Sequence, residues 1–147
     1  MTYEEAIQTI PLGRYRHFKG NEYEVIGIVR HSETEEAMVV YRALYGDGGI
    51  WVRPAEMWNE TVERDGKTFR RFYRVDRIER VGRYERLFDE VSSAPDAEKA
   101  AALEAYYTSG EWLEDYEADE RGELPPDMKR GVLSQDALYD LLESREK

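Results

Sequence analysis

Apolar and polar residues alternate in short runs through the first half of the chain and recur every three or four positions through the second. Arg14-Tyr15-Arg16-His17-Phe18 alternates polar and aromatic side chains as a half-buried strand does. Residues 23–30 set Tyr23, Val25, Gly27 and Val29 on one face and Ile26 and Ile28 on the other, which predicts a central strand apolar on both faces. Residues 38–45 repeat that pattern, and Asp47-Gly48-Gly49 turns the chain into a short strand at 50–53. Residues 61–64 and 67–73 flank Asp65-Gly66, a two-residue loop whose members tolerate the positive φ of a type I′ hairpin. Ahead of these strands, Thr2 and Glu5 have the spacing of a capping box for a helix ending near Thr9, before Pro11 and Gly13. Short strands packed this closely suggest a small, strongly bent barrel of SH3-like kind.

The period then becomes helical. Ile78, Val81, Tyr84, Leu87, Phe88 and Val91 mark one face of a long helix, broken by Ser93-Ala94-Pro95-Asp96. Ser93, with Asp96 three residues on, is the expected cap of a second helix whose Ala97, Ala100, Ala101, Leu103 and Tyr107 form a small-residue face. Thr108-Ser109-Gly110 ends it. A third helix carries Trp112, Leu113 and Tyr116 and closes at Gly122 and Pro125-Pro126. In the last, Ser134 is the cap, Asp136 sits in the first turn and Leu133 staples to Leu138. The predicted class is α+β: a helical extension at 1–11, a small SH3-like β-barrel at 12–75 and an acidic α-helical domain at 76–147.

Charge sharpens this division. The 147 residues carry a net charge of -11, yet 1–74 hold 11 basic and 12 acidic side chains while 75–147 hold 10 and 20. Each half is near the lower size limit for an independent core, so packing of one on the other, or dimerisation, is expected. The negative charge opposes long-range attraction to nucleic acid or anionic membrane. No apolar run approaches the ~18 residues of a spanning helix, and the start lacks the basic-then-apolar pattern of a signal peptide. A chain without cysteine has no disulfides, thiolate zinc sites or cysteine nucleophiles, and it suits the reducing cytoplasm.

Two stretches resemble known families. Gly13-Arg14-Tyr15-Arg16-His17-Phe18-Lys19-Gly20, His31-Ser32-Glu33-Thr34, Val40-Tyr41-Arg42-Ala43-Leu44-Tyr45 and Trp51-Val52-Arg53-Pro54 resemble the bacterial family called domain of unknown function 1653, over about residues 12–75. Tyr107-Thr108-Ser109-Gly110-Glu111-Trp112-Leu113-Glu114-Asp115-Tyr116-Glu117-Ala118-Asp119-Glu120 and Lys129-Arg130-Gly131-Val132-Leu133-Ser134 look like domain of unknown function 4298, over about 76–145. Trp58 stands where the first family more usually has Phe. The resemblance implies a bacterial two-domain fusion and brings no activity, cofactor or ligand with it.

The residues themselves offer four chemistries. His17 and His31 with Glu33 have the donor types of a two-nitrogen, one-carboxylate metal site, although their spacing equally suits ordinary packing and loop hydrogen bonds. Ser32, a histidine and Asp47 supply the members of a hydrolase triad but lack a nucleophile elbow. Tyr41, Tyr45, Trp51 and Arg53 fall by alternation on one face of neighbouring strands. Aromatic rings beside a guanidinium suit a peptide or a small polar ligand unless the barrel buries them. Arg74, Arg77, Arg80, Arg83 and Arg86 make a basic stripe suited to a phosphate backbone. Residues 111–123, with seven acidic side chains against Arg121, supply its counter-charge within the same chain. An EF-hand frame with Gly122 at its sixth position puts Arg121 and Met128 where oxygen ligands belong, and no Walker or dinucleotide pattern is present.

The reading that results is a non-enzymatic binding module that needs no cofactor or metal. Its face of Tyr41, Tyr45, Trp51 and Arg53, edged by His17, Lys19, His31 and Glu33, would receive a peptide or small polar ligand, with the acidic helices as partner surface. Nucleic-acid binding through Arg74–Arg86 is the first alternative, and an enzyme using His17 or His31 the second.

Overall fold

Thr2 closes the first helical turn as its spacing predicts. Its hydroxyl accepts the Glu5 backbone N–H at 3.1 Å, the Glu5 carboxylate accepts the Thr2 N–H, and α1 runs Tyr3–Thr9. This is a computed structural model that describes residues 1–144, and it divides after Val75 into two units.

In the first unit β1 (Gly13–His17), β2 (Glu22–Arg30), β3 (Ala37–Ala43) and β4 (Ile50–Pro54) lead to a one-turn helix α2 (Ala55–Trp58). β5 (Thr61–Arg64), β6 (Lys67–Arg70) and β7 (Phe72–Arg74) complete it. The Asp65-Gly66 hairpin forms, both residues having positive φ, 52° and 76°. The run at 67–73, however, splits at Arg71. There the backbone N–H goes to Glu60 O at 2.8 Å and the carbonyl takes the Phe18 N–H at 3.0 Å. β7 is thereby released from the hairpin to pair with β1, giving a five-stranded antiparallel sheet in the order β4-β3-β2-β1-β7 beside a separate β5-β6 ribbon. The sheet stays open, with β4 and β7 as its edges, so the fold is mixed α+β and the expected barrel closure is absent from it.

β2 is central, as expected, but a bulge between Val25 and Gly27 interrupts its alternation. Ile28 therefore packs on the core while Val29 is exposed. The core gathers Ala6, Ile10, Tyr15, Val25, Val39, Tyr41, Trp58 and Phe72, with the Trp58 and Phe72 rings stacked at 3.7 Å.

The second unit is helical: α3 (Val75–Ser93, continuing from β7), α4 (Ala97–Thr108), α5 (Glu111–Glu120), a 3-10 turn at Gly131–Leu133 and α6 (Gln135–Ser144). Val81 and Val91 are buried on the predicted face of α3, with Ile78, Tyr84, Leu87 and Phe88 packed against the same cluster. Asp96 alone caps α4, accepting the Lys99 N–H at 3.1 Å, and Ser93 is the last residue of α3. The buried face of α4 is accordingly Ala100, Leu103 and Tyr106, and Ala97 and Ala101 are exposed. Ser134 caps α6 through the Ala137 N–H, and Leu133 and Leu138 are both buried. Among the described residues no helix is long and apolar enough to cross a membrane.

Candidate binding face

β3 and β4 pair with Tyr41 opposite Trp51 and Val39 opposite Arg53. Directly opposed residues project to the same face, so Tyr41, Trp51 and Arg53 share one side of the sheet. Depth separates them. Tyr41 lies on an inner strand, is 8% exposed and meets Tyr23 and Trp58 edge-on at 5.5 and 5.1 Å, which makes it a core residue. Trp51 lies on the edge strand and is 61% exposed. Its indole folds over Gly49, where a Cβ would come within 3.1 Å of Nε1. Tyr45, also exposed, shares a 2.7 Å hydrogen bond between its hydroxyl and that of Tyr23. Burial, then that hydrogen bond, pushes the Tyr23 hydroxyl up to about 12.

The Arg53 guanidinium sits 5.8 Å from the Phe72 ring centroid. Its Nε is buried without a hydrogen-bond partner, and no carboxylate pairs with it among the described residues. The His17 ring lies edge-on to the same Phe72 at 5.2 Å and 4.4 Å from Phe18. Its Nδ1 accepts the Lys19 backbone N–H at 3.1 Å, which leaves its proton on Nε2. Burial first, then Arg71, Lys19 and Arg53, lowers the His17 pKa to about 4. The imidazole is therefore neutral at pH 7 and offers Nε2–H as a donor. Arg71 binds Glu60 through one terminal nitrogen at 3.0 Å, while its Nε is buried without a partner. Cations thus outnumber carboxylates around a neutral imidazole beside exposed aromatic rings, a setting that favours an anion.

The other proposed members lie elsewhere. His17 adjoins the start of the nine-residue β2 and His31 follows its end, so the length of that strand lies between the two histidines. His31 Nδ1 accepts the Glu33 and Thr34 backbone N–H groups at 3.1 and 3.3 Å in an exposed turn. That separation removes His31 and Glu33 from the face and the two histidines from a shared metal site. Among the described residues no group of three or more histidine, aspartate and glutamate side chains is placed to hold a metal. Ser32 and Asp47 flank opposite ends of β3, so no triad forms.

The basic stripe meets its counter-charge as the sequence suggested. Arg80 makes a two-pronged contact with Asp115 at 2.9 and 2.6 Å and binds Glu111 at 3.0 Å. Arg77, 8% exposed, lies 3.5 Å from the same aspartate. Tyr106 donates to it at 2.6 Å. Asp115 is completely buried, and these partners hold the Arg80 guanidinium above its ordinary range. Glu85, also buried, accepts the Gly131 and Val132 backbone N–H groups at 3.2 and 2.8 Å.

Sequence reasoning set Asp115 among the counter-charges of the stripe without its burial, and it missed the roles of Glu85, Arg71 and Phe72. A signal existed for the first two, since Asp115 lies one turn after Trp112 and Glu85 one turn after Val81 on buried faces. None existed for Phe72, whose place depends on the interruption of the strand at Arg71.

Comparison with known proteins agrees with the two-unit division. A family model described as "Protein of unknown function (DUF1653)" matches residues 13–74, and one described as "Domain of unknown function (DUF4298)" matches 85–147. A crystal structure of a DUF1653 protein from Bordetella bronchiseptica is 40% identical over 45% of this chain and 87% of its own, with a TM-score of 0.42. No curated protein matches the chain.

Proposed function

We propose that this chain, which belongs to the DUF1653 family through its β unit and carries a DUF4298 match after it, is a binding module whose β unit captures a carboxylate-bearing ligand. The face of Trp51, Tyr45, Arg53, His17 and Lys19 takes the ligand. One observation carries the reading: in a chain with 32 acidic and 21 basic side chains, Arg53 meets no carboxylate among the described residues while its Nε is withdrawn from water. A guanidinium partly withdrawn from water without a counter-charge favours an anion, which its planar fork can bind through charge-assisted hydrogen bonds. On this reading the open sheet acts as an SH3-like module does, presenting a face rather than a deep pocket, and the acidic helices remain available to a partner.

An enzyme built on His17 has less support. Its neighbours are cations and phenyl rings, and among the described residues no carboxylate orients it and no hydroxyl is bonded to it. Nucleic-acid binding along Arg74–Arg86 is weakened by the capture of Arg77 and Arg80 by Asp115.

The test is a titration of isotopically labelled protein with N-acetyl-Glu-Glu, followed through the Trp51 indole N–H resonance assigned by Trp51→Phe. The expected result is a saturable shift of Trp51 and of the His17 neighbourhood, weakened about tenfold in Arg53→Gln, in line with loss of a charge-assisted hydrogen bond. Equal affinity in Arg53→Gln, or shifts confined to other residues, overturns the proposal.

A further inference from the structure

The main chain of β4 carries an inference that rests on the anion-binding reading and extends it to the class of ligand. Ala43 N–H donates to Gly49 O at 2.9 Å, which makes these two a hydrogen-bonded pair of the β3-β4 ladder. Bonded and non-bonded pairs alternate along an antiparallel ladder, so Trp51 and Arg53 turn their backbone groups inward to β3. Leu44 N–H to Glu22 O at 3.0 Å confirms the phase on the other side of β3, where Arg42 faces β2 rather than Ile50. Ile50 and Val52 therefore aim their N–H and C=O groups at the open edge of the sheet. No backbone or side-chain hydrogen bond among the described residues engages them there. Pro54, next in the same phase, has no N–H to offer, and the Gly48 N–H is turned back to Tyr45 O at 3.2 Å. The edge thus exposes a short bonding unit centred on Trp51.

Its side chains are as unusual as its backbone. Ile50, Trp51 and Val52 are 57%, 61% and 59% exposed, on a strand with none of the charges that normally protect a sheet edge until Arg53. One face of this edge, at Ile50 and Val52, is aliphatic. The other, at Trp51 and Arg53, is aromatic and cationic, with Lys19 and Arg71 in electrostatic reach of the same His17.

We propose that β4 binds an extended segment of a partner protein as a sixth strand, and that this segment alternates acidic and apolar residues. Its acidic side chains lie on the Trp51–Arg53 face and its apolar ones beside Ile50 and Val52. When the segment adds antiparallel, residues directly opposite Ile50 and Val52 share their face, so the apolar residues of the segment are the ones whose amides bond to β4. The acidic residues turn their amides to solvent. Local charge complementarity selects such a segment over a second copy of the chain, which would set a matching Arg53 against this one.

The probe is the blocked heptapeptide Glu-Val-Glu-Val-Glu-Val-Glu, with one twin N-methylated at its valines and another at its glutamates. The parent and the glutamate-methylated twin are expected to bind within about threefold of each other, and the valine-methylated twin at least tenfold more weakly. Amide exchange at Ile50 and Val52 should slow in the complex, and a folded Val52→Pro variant, which loses an outward N–H and no ladder bond, should bind at least tenfold more weakly. Equal binding of all three peptides overturns strand addition and leaves the anion site standing. Failure of the parent to bind at 1 mM overturns it too, and the N-acetyl-Glu-Glu titration then shows whether the anion reading falls with it. Protection of Ile50 and Val52 without peptide, with a dimer in sedimentation, overturns it in favour of self-pairing.

Discussion

Arg80 in the helical unit and Arg53 in the β unit are both partly withdrawn from water, and the protein treats them in opposite ways. Arg80 is met by a completely buried aspartate that also serves Tyr106 and lies beside Arg77, so the charges that enter that interior close on one another. Arg53 meets an aromatic face, a neutral histidine and further cations, and its Nε is left unbonded. A cation met by its counter-charge helps to fix a fold, whereas a cation with no carboxylate beside exposed aromatic rings is open to an anionic ligand. The helical unit's charge accounts for its architecture, and the β unit's charge for its proposed binding.

The strongest way to break this contrast is Asp115→Ala. It takes the buried carboxylate away from Arg80, Arg77 and the Tyr106 hydroxyl, and removing one member of a buried ionic set costs about 3–5 kcal/mol. Urea unfolding followed by circular dichroism at 222 nm should show the helical transition shifted sharply to lower denaturant. An unchanged midpoint would sink the claim that Asp115 organises this unit.

Arg53→Met should behave in the opposite sense. It keeps the packing against Phe72 and deletes an unbonded buried donor, so the β unit gains up to about 1 kcal/mol while anion binding is lost. A clear fall in its urea midpoint would mean that Arg53 is structural after all.

The smallest effect is the pH dependence at His17. Its folded pKa of about 4 lies below the ordinary 6.5, so between these values the unfolded chain takes up a proton that the folded one refuses. Stability therefore falls as pH drops from 6.5 toward 4, discounted by the solvent access of a ring that is only partly buried. His17→Gln should flatten that slope in urea titrations at pH 4.5, 5.5 and 6.5, and an anion bound beside His17 should raise its pKa in a histidine-resolved NMR titration.

Much of this was legible one segment at a time. The capping box at Thr2 and Glu5, the Asp65-Gly66 hairpin, the α3 face from Ile78 to Val91 and the Ser134 cap all follow from sterics and spacing within a few residues. The shared face of Tyr41, Trp51 and Arg53 followed as well, because strand alternation needs only a period of two. Burial was less readable: Tyr41 and Trp51 look alike in sequence, yet one lies in the core and the other is open to solvent, because β3 is internal and β4 is an edge.

The sequence by itself determined the elements, the division into a nearly neutral β unit and an acidic helical one, and the set of side chains able to meet an anion. Tertiary structure alone decided which of them meet. The break at Arg71 carries Phe72 to β1 beneath His17 and Arg53, strand order leaves Ile50 and Val52 facing an empty edge, and the nine residues of β2 hold His31 and Glu33 far from His17. The physical reason is range. Caps, turns and periodicity are set by contacts a few residues apart, whereas strand order and edge exposure are set by contacts distant in sequence, which no local pattern encodes.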